Sequence, residues 1–298
     1  MTIISQNKRS FLTPFDFLRI TRSSAISVVS TAEGPSLTFP RALEMEDMRF
    51  GELLAPHNIT QIHIFLLQLL NLPNLDISLN PETRFKDYAF RLSEAFSKLD
   101  SPTIVFRSLD KAGSPRYTIH SANMLLTEAN NTAFLYSGRK KILVTVPLIH
   151  SYGFVFGVVL PRFLKITATD IPPLPTLNAF PLQKGDLVVL YPQLLNSLTL
   201  IPPPDLALLC SSSPPLDQLS FKTARNLGFL SLTEVYGTAI TGALGYRKSA
   251  GPYELFPHFK RSGSRGLIRI DTATQFSSSR ITWRKERFFS HADEPINT

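Results

Sequence analysis

The sequence predicts an α/β fold in which parallel strands are joined by helical crossovers. From residue 80 onward, short apolar runs alternate with segments in which apolar residues recur at helical spacing. Strands separated by helices in this way form parallel crossover units. Two further strand-like runs near the C-terminus have no helix between them, which predicts a small antiparallel region. In such folds ligands bind beyond the carboxyl ends of the parallel strands, so we expect the functional residues there.

The elements can be assigned in order. Residues 59–72 form an apolar run shorter than the roughly 20 residues of a membrane span, so they predict a buried helix and no transmembrane segment. Asn80 and Pro81 predict a helix start, followed by one apolar face: Phe85, Tyr88, Leu92, Phe96 and Leu99. Further helices are expected over 121–136 and 214–227. Strands are expected at 103–106, 142–146, 186–191, 206–210, 230–236, 266–270 and 280–283.

Composition narrows the class of protein. With 43% hydrophobic and 18% charged residues, the chain is predicted to be globular. Its single cysteine, Cys210, excludes an internal disulfide and a cysteine metal cluster, and is expected to be buried; a cytoplasmic location follows as the simplest expectation. The net charge of +8 is scattered along the sequence, which favours a solvated surface and no nucleic-acid partner.

Three segments that follow predicted strands carry the functional signal. Residues 236–242 read Tyr-Gly-Thr-Ala-Ile-Thr-Gly, residues 147–153 read Pro-Leu-Ile-His-Ser-Tyr-Gly, and residues 108–116 contain Gly113 and Pro115 before Arg116. Together they resemble the motifs of the AMP-forming acyl- and aryl-acid synthetases. That family activates carboxylic acids with ATP and passes the acyl group to a thiol. The resemblance covers roughly residues 100–298 and implies the parallel-sheet layers of the adenylating-enzyme large domain.

The segment 108–116 resembles the loop that surrounds the β- and γ-phosphates. The resemblance implies nucleotide contacts from Ser108, Gly113, Pro115 and Arg116, of which Arg116 replaces the family's lysine. Residues 109–112 depart from the pattern, because they lack its hydroxyls and one of its glycines.

The second segment implies an acyl pocket. His150 is expected to orient the substrate carboxylate, Tyr152 to shape the wall, and Gly153 to permit a tight turn. The Ser- and Pro-rich stretch 211–216 resembles the turn that lies along the adenine, which adds Ser212 and Ser213 to the expected site.

The third segment implies that Tyr236 stacks on adenine and that Gly237, Thr238 and Thr241 border the phosphates. The family has a magnesium-binding glutamate where this chain has Ile240, and a hydrocarbon side chain cannot ligate a hard cation. The sequence therefore predicts no metal ligand at this position and makes a role for magnesium doubtful.

Residues 293–297 resemble the hinge that leads into the family's small lid domain. Because the sequence ends at Thr298, we expect neither a C-terminal lid domain nor its catalytic lysine in it. We divide the chain into residues 1–100, which carry no readable motif, and an AMP-binding-like region at 101–298. A separate lid-domain chain or an acyl carrier protein is an expected partner.

Three functional hypotheses follow. The first is an acyl-CoA synthetase-like adenylating domain that uses ATP, a fatty or aryl acid and the thiol of coenzyme A or a carrier protein, impaired as a standalone chain. The alternative is a catalytically inactive binding protein derived from such a synthetase, a pseudoenzyme. A third is a basic interaction protein that uses an unrelated surface, which depends on the charge alone.

Overall fold

The computed structural model describes residues 11–31, 45–110, 112–171, 180–212, 214–264, 266–277, 281–284 and 287–290. These residues form two compact units. One comprises the chain as far as Val105 together with Ile119–Ala122, and the other comprises Phe106–Thr118 and the chain from Asn123 onward. The predicted division of the chain between residues 100 and 101 was based on motifs. The two compact units do not test it, and it stays a prediction.

Among its described residues, the first unit contains three α-helices, α1 (Pro14–Thr31), α2 (Pro56–Leu69) and α3 (Phe85–Ser97), and a 3-10 turn at Phe50–Glu52. Helix α1 begins with a reciprocal cap in which the Thr13 N–H donates to Asp16 Oδ2 at 2.8 Å and the Asp16 N–H donates to Thr13 Oγ1 at 3.2 Å. Helix α3 buries four of the five residues of the predicted apolar face, while Leu99 lies beyond its end and is half-buried. Its Phe85 ring stacks on Phe50 with centroids 3.9 Å apart.

One boundary in this unit was predicted wrongly. Helix α3 begins at Phe85 with Arg84 as its N-cap, so Asn80 lies outside the helix and does not cap it. The Asn80 side chain instead accepts hydrogen bonds from the Glu82 N–H and the Thr83 hydroxyl, each at 3.0 Å, which forms a turn that precedes the helix.

The second unit contains a nine-stranded sheet in which five strands are parallel, in the order β4-β3-β5-β6-β7. Their bounds are β3 (Lys141–Val144), β4 (Thr167–Asp170), β5 (Asp186–Leu190), β6 (Ala207–Ser211) and β7 (Ser231–Thr238). Strand β5 is buried along its whole length, as expected of a strand covered on both faces. Cys210 in β6 is also buried, as predicted.

The sheet continues beyond β7 in antiparallel pairing through β8 (Gly242–Arg247), β9 (Tyr253–Leu255), β14 (Arg287–Ser290) and β13 (Ile281–Arg284). A separate antiparallel sheet contains β10 (Phe259–Ser262), β11 (Gly266–Arg269) and β12 (Gln275–Ser277). The predicted α/β class with a small antiparallel region near the C-terminus is therefore confirmed.

Among the described α-helices of the second unit, one precedes β3 and the others lie between successive parallel strands. They are α4 (Ala122–Thr132), α5 (Ser151–Phe154), α6 (Leu160–Leu164), α7 (Pro192–Asn196) and α8 (Gln218–Leu227), with a π-helical turn at Val155–Val159 between α5 and α6. The prediction that a helix begins at Pro214 was wrong by four residues. Asp217 caps α8 by accepting the Ser220 N–H at 2.7 Å, so the preceding Pro-rich stretch stays outside the helix.

The predicted phosphate loop lies in a different element from the one expected. Strands β1 (Thr103–Leu109) and β2 (Pro115–Ser121) pair in a two-stranded sheet, so the loop connects two strands instead of a strand and a helix. In the part of the chain that the structure describes, no helix combines the length and apolar character needed to cross a membrane.

Candidate functional site

A cavity of about 270 Å³ opens at the carboxyl ends of the parallel strands in the second unit. Each of four strands supplies the residues just at or after its end. These are His150 after β3, Tyr191 after β5, Ser211 and Ser212 at β6, and Gly237 and Thr238 at β7. The cavity therefore occupies the position at which open parallel sheets bind ligands.

Five of the predicted site residues line this one cavity. They come from three separate segments of the sequence: His150, Tyr152, Ser212, Gly237 and Thr238. Ser213, the hinge-like residues 293–297 and Lys111 lie outside the described residues.

The segment after β3 is fixed by backbone contacts and one hydroxyl. Solvent-exposed His150 is the N-cap of α5, where its carbonyl accepts the Phe154 N–H at 2.8 Å. Gly153 leaves no room for a side chain, because a Cβ there would collide with the Pro147 carbonyl oxygen. The Tyr152 hydroxyl donates to the Leu209 carbonyl oxygen at 2.9 Å, so the cavity wall is tied to β6. Burial raises the pKa of Tyr152 well above its ordinary value, which keeps this donor protonated.

Ser212 is held by a buried carboxylate that the sequence did not identify. Its hydroxyl is hydrogen-bonded to the Tyr253 hydroxyl at 2.8 Å, and Tyr253 donates to Glu234 Oε1 at 2.9 Å. Glu234 is fully buried and also accepts the Leu216 N–H at 2.9 Å and an ion-paired hydrogen bond from Arg247. It thereby fixes both ends of the Ser- and Pro-rich turn. A charged residue within an apolar strand was the available sequence signal.

The turn between β7 and β8, residues 238–242, is closed by its two threonines. The Thr238 N–H donates to Thr241 Oγ1, and the Thr241 N–H donates to Thr238 Oγ1, each at 3.1 Å. Thr241 itself is fully buried and does not line the cavity. Gly242 has a φ of +69°, which favours glycine, and a Cβ on Gly237 would collide with the Gly242 carbonyl oxygen. These contacts fix the turn in a conformation in which Gly237 and Thr238 line the cavity.

Tyr236 lies in the apolar core. Its side chain is 5% exposed and its ring packs against Tyr253 and Phe288, with centroids 5.4 and 5.8 Å away. Ile240, at the family's magnesium-binding position, is partly buried against the same core cluster. An apolar contact therefore occupies the place where the family has a metal ligand.

The loop at 108–116 forms a turn of its own. Asp110 Oδ1 accepts the N–H groups of Ala112 and Ser114, each at 2.9 Å, and Arg116 pairs with Asp110 at 3.5 Å. The hydrogen bond from Ser114 is the main cause that lowers the pKa of Asp110. Gly113 has a φ of +80°, as a tight turn requires. Ser108, Gly113, Pro115 and Arg116 are not among the residues that line the cavity.

The charges around the cavity are few. Among its described lining residues there is one carboxylate, Glu128, and no lysine or arginine. Glu128 is 2% exposed and ion-paired with Arg269 at 3.7 Å, so it does not offer the open carboxylate that magnesium requires. Within the described ranges, no group of three or more His, Cys, Asp or Glu side chains is arranged to hold a metal.

No known protein-family model matches the sequence. A 4-coumarate–CoA ligase from Rhodobacter capsulatus is 28% identical over 179 residues, 57% of this chain and 46% of that ligase. A 4-coumarate–CoA ligase from Halorhodospira halophila is 29% identical over 195 residues, 62% of this chain and 49% of that ligase. The chain spans about half the length of these curated relatives.

The fold has a solved counterpart. The acyl-CoA synthetase (AMP-forming)/AMP-acid ligase II-like protein from Dyadobacter fermentans superposes with a TM-score of 0.53 at 12% identity, over 70% of this chain and 64% of that one. The sequence and fold comparisons agree. This chain is related to the AMP-forming adenylating enzymes over about 60% of its length, which confirms the resemblance predicted from its motifs.

Proposed function

We propose that this chain is an adenylating domain of the acyl-CoA ligase type. In the reaction, a carboxylate oxygen of a fatty or aryl acid attacks the α-phosphorus of ATP, and the bond to the departing pyrophosphate breaks. The resulting acyl-adenylate then reacts with the thiol of coenzyme A or a carrier protein, which releases AMP and forms a thioester. The names of the two related ligases favour an aryl acid and coenzyme A.

One observation carries the proposal. Five residues that match three motifs of the adenylating enzymes line one cavity at the carboxyl ends of parallel strands, although up to 88 residues of sequence separate them. Their convergence is expected if the chain keeps an adenylate pocket and is not expected of unrelated turns.

The residues take different roles in this proposal. His150 donates a hydrogen bond to the substrate carboxylate, and Tyr152 forms the wall of the acyl pocket. The turn at Ser212 lies along the adenine, while the backbone at Gly237 and the Thr238 hydroxyl border the α-phosphate, where donors stabilise developing charge. Tyr236, whose ring packs in the apolar core, supports the β7–β8 turn. Ser108, Gly113, Pro115 and Arg116 remain a proposed phosphate loop.

Magnesium, where the adenylating enzymes use it, neutralises the ATP phosphates. The residues around this cavity do not fit it, because Ile240 packs on the core and Glu128 is paired with Arg269. We therefore propose that turnover by the chain alone is very low. A separate lid-domain chain or an acyl carrier protein would be its partner in the cytoplasm, and residues 101–298 would form the adenylating region.

The second candidate is a catalytically inactive protein that binds an acid or an adenylate. The contact between Ile240 and the apolar core favours it, since that contact stabilises the fold at the place where catalysis needs an oxygen ligand. Both candidates require a ligand to bind in the cavity, and they differ in whether the chain then catalyses a reaction.

Calorimetric titration tests the proposal. ATP with magnesium, AMP and a non-hydrolysable aryl-adenylate analogue would be titrated into the chain, His150→Ala and a control, His57→Ala, which changes an exposed histidine elsewhere. Analogue binding that weakens only in His150→Ala supports the adenylate pocket. Pyrophosphate exchange then separates a working domain from an inactive one. Absence of binding to all three ligands would overturn the proposal.

A further inference from the structure

Three buried ionisable side chains hydrogen-bond to the backbone at the end of the β7–β8 turn. We call these residues, Glu128, His258 and Arg269, the anchor cluster. The Ala243 N–H donates to Glu128 Oε1 at 2.8 Å, and His258 Nε2 bonds the Ala243 carbonyl oxygen at 2.9 Å. Arg269 Nη1 donates to the Thr241 carbonyl oxygen at 3.0 Å. Three backbone groups at the end of the turn are therefore fixed by side chains.

The members of the anchor cluster come from distant parts of the sequence. Glu128 lies on α4, His258 precedes β10 and Arg269 ends β11. Arg269 also donates to the Met124 carbonyl oxygen at 2.8 Å and to Asp271 Oδ1 at 2.9 Å. The turn is thus connected to α4 and to the C-terminal antiparallel sheet.

Glu128 is the member of the cluster that lines the cavity. Its Oε2 accepts no hydrogen bond from the described residues and lies 3.7 Å from Arg269 Nη1. A Cβ on Gly242 would collide with this oxygen, so the carboxylate occupies space that only a glycine at position 242 leaves open. Burial raises the pKa of Glu128, and the charge of Arg269 acts in the opposite direction.

A buried carboxylate is costly to desolvate, and its hydrogen bonds compensate only in part. A polar group that served solely to satisfy the Ala243 N–H would not need a charge, because a neutral acceptor can do the same. The charge does have a use next to Arg269, because the same Nη1 group that is paired with Glu128 donates to the Thr241 carbonyl oxygen.

We infer that Glu128 is a positioning residue, whose carboxylate, paired with Arg269, fixes the β7–β8 turn so that Gly237 and Thr238 face the bound adenylate. The identity of the ligand depends on the function proposed above, whereas the fastening of the turn does not. Glu128 acts through the turn, and its removal is expected to change the cavity wall and leave the rest of the sheet in place.

Hydrogen–deuterium exchange tests the fastening directly. In Glu128→Ala the peptide that spans residues 238–244 should exchange about tenfold faster, since the Ala243 N–H loses its partner. Peptides from α8 should keep their rates. Glu128→Gln retains an oxygen acceptor and should show a smaller change. Glu94→Gln, which alters an exposed glutamate on α3, should show none.

Binding of the aryl-adenylate analogue tests the consequence. The affinity should fall about tenfold in Glu128→Ala and less in Glu128→Gln, at a temperature where both are folded by circular dichroism. Unchanged exchange at 238–244 overturns the inference, as does faster exchange with unchanged affinity. If Glu128→Ala does not fold, the same criteria are applied to Glu128→Gln. If the unaltered chain binds neither the analogue nor ATP or AMP, the proposed function and the role of Glu128 towards a ligand both fall, and exchange alone decides whether the turn is fastened.

Discussion

The hydroxyl of Tyr152 lies 2.9 Å from the carbonyl oxygen of Leu209 and donates a hydrogen bond to it. This contact joins the helix that follows β3 to the middle of β6, and Tyr152 itself lines the candidate site. A second carbonyl, that of Leu190 at the end of β5, is 3.3 Å away. One hydroxyl therefore contacts carbonyl oxygens of two neighbouring parallel strands.

Tyr152→Phe should reduce the free energy of unfolding by about 1 kcal/mol, because the change removes one net hydrogen bond and leaves two buried carbonyls less satisfied. Urea denaturation measures this change. Tyr117→Phe is the control, since Tyr117 is 53% exposed on β2. Equal denaturation midpoints for the two variants would show that the Tyr152 contact contributes nothing to stability.

Gly242→Ala should destabilise the chain by about 2 kcal/mol, through both its positive φ and the collision with Glu128. Gly263→Ala is a matched control, because Gly263 has a φ of +64° and open space around its Cα. The control isolates the cost of backbone conformation, about 1 kcal/mol. Thermal denaturation of the two variants should differ, and equal losses of stability would argue against contact between Gly242 and the carboxylate.

Ile240→Glu should restore a magnesium ligand to the turn. We expect the affinity for ATP to rise about tenfold when magnesium is present and to stay unchanged without it. Ile240→Gln has nearly the same shape and no charge, so it should give no magnesium-dependent gain. Both variants should lose about 1 kcal/mol of stability with the apolar contact. A similar gain in both variants, or a gain without magnesium, contradicts this prediction.

His258 should make the fold sensitive to acid. Its Nε2 bonds a carbonyl oxygen, so this nitrogen carries the proton, and Nδ1 has no hydrogen-bond partner among the described residues. Burial, followed by the charge of Arg269, lowers the pKa of His258 from 6.5 to about 4. The unfolded chain therefore binds the proton first, and stability that is complete above pH 6.5 is lost as the pH falls towards 4.

His258→Gln keeps an N–H donor for the Ala243 carbonyl and cannot titrate. Its stability should fall by about 2 kcal/mol less than that of the unaltered chain between neutral pH and about pH 4.5, as measured by urea denaturation. The His57→Gln variant controls for the loss of a histidine at an exposed position. A pH dependence unchanged by His258→Gln would show that this side chain is not the titrating group.

The parallel part of the fold was predictable because its physical signal is local. Strands β5 and β6 are short, continuous apolar runs, as strands buried on both faces must be. Helix α1 was missed, since Arg19 and Arg22 are buried within it and interrupt its apolar pattern. The β1–β2 pairing was also missed, because a turn around Gly113 can precede a strand as easily as a helix.

In the candidate site, too, some residues could be predicted from the sequence and others could not. His150 and Thr238 could be placed beside one another because they follow strands that end at one edge of the sheet. Glu128 could not, since its contact with Ala243 joins positions 115 residues apart and no local pattern records it. Glu234 could not be assigned a role either, because that role depends on three donors that only the fold brings together.

The motif that closes β7 contains five positions that the fold constrains closely. Core burial, close backbone approach or paired hydroxyls constrain five of its seven residues: Tyr236, Gly237, Thr238, Thr241 and Gly242. The other two are where the chain departs from the adenylating enzymes: Ala239 lines the cavity, and Ile240 packs in part against the apolar core. A hydrocarbon side chain at position 240 therefore adds an apolar contact while the five constrained positions keep theirs, so the hairpin can form without an oxygen ligand at this turn.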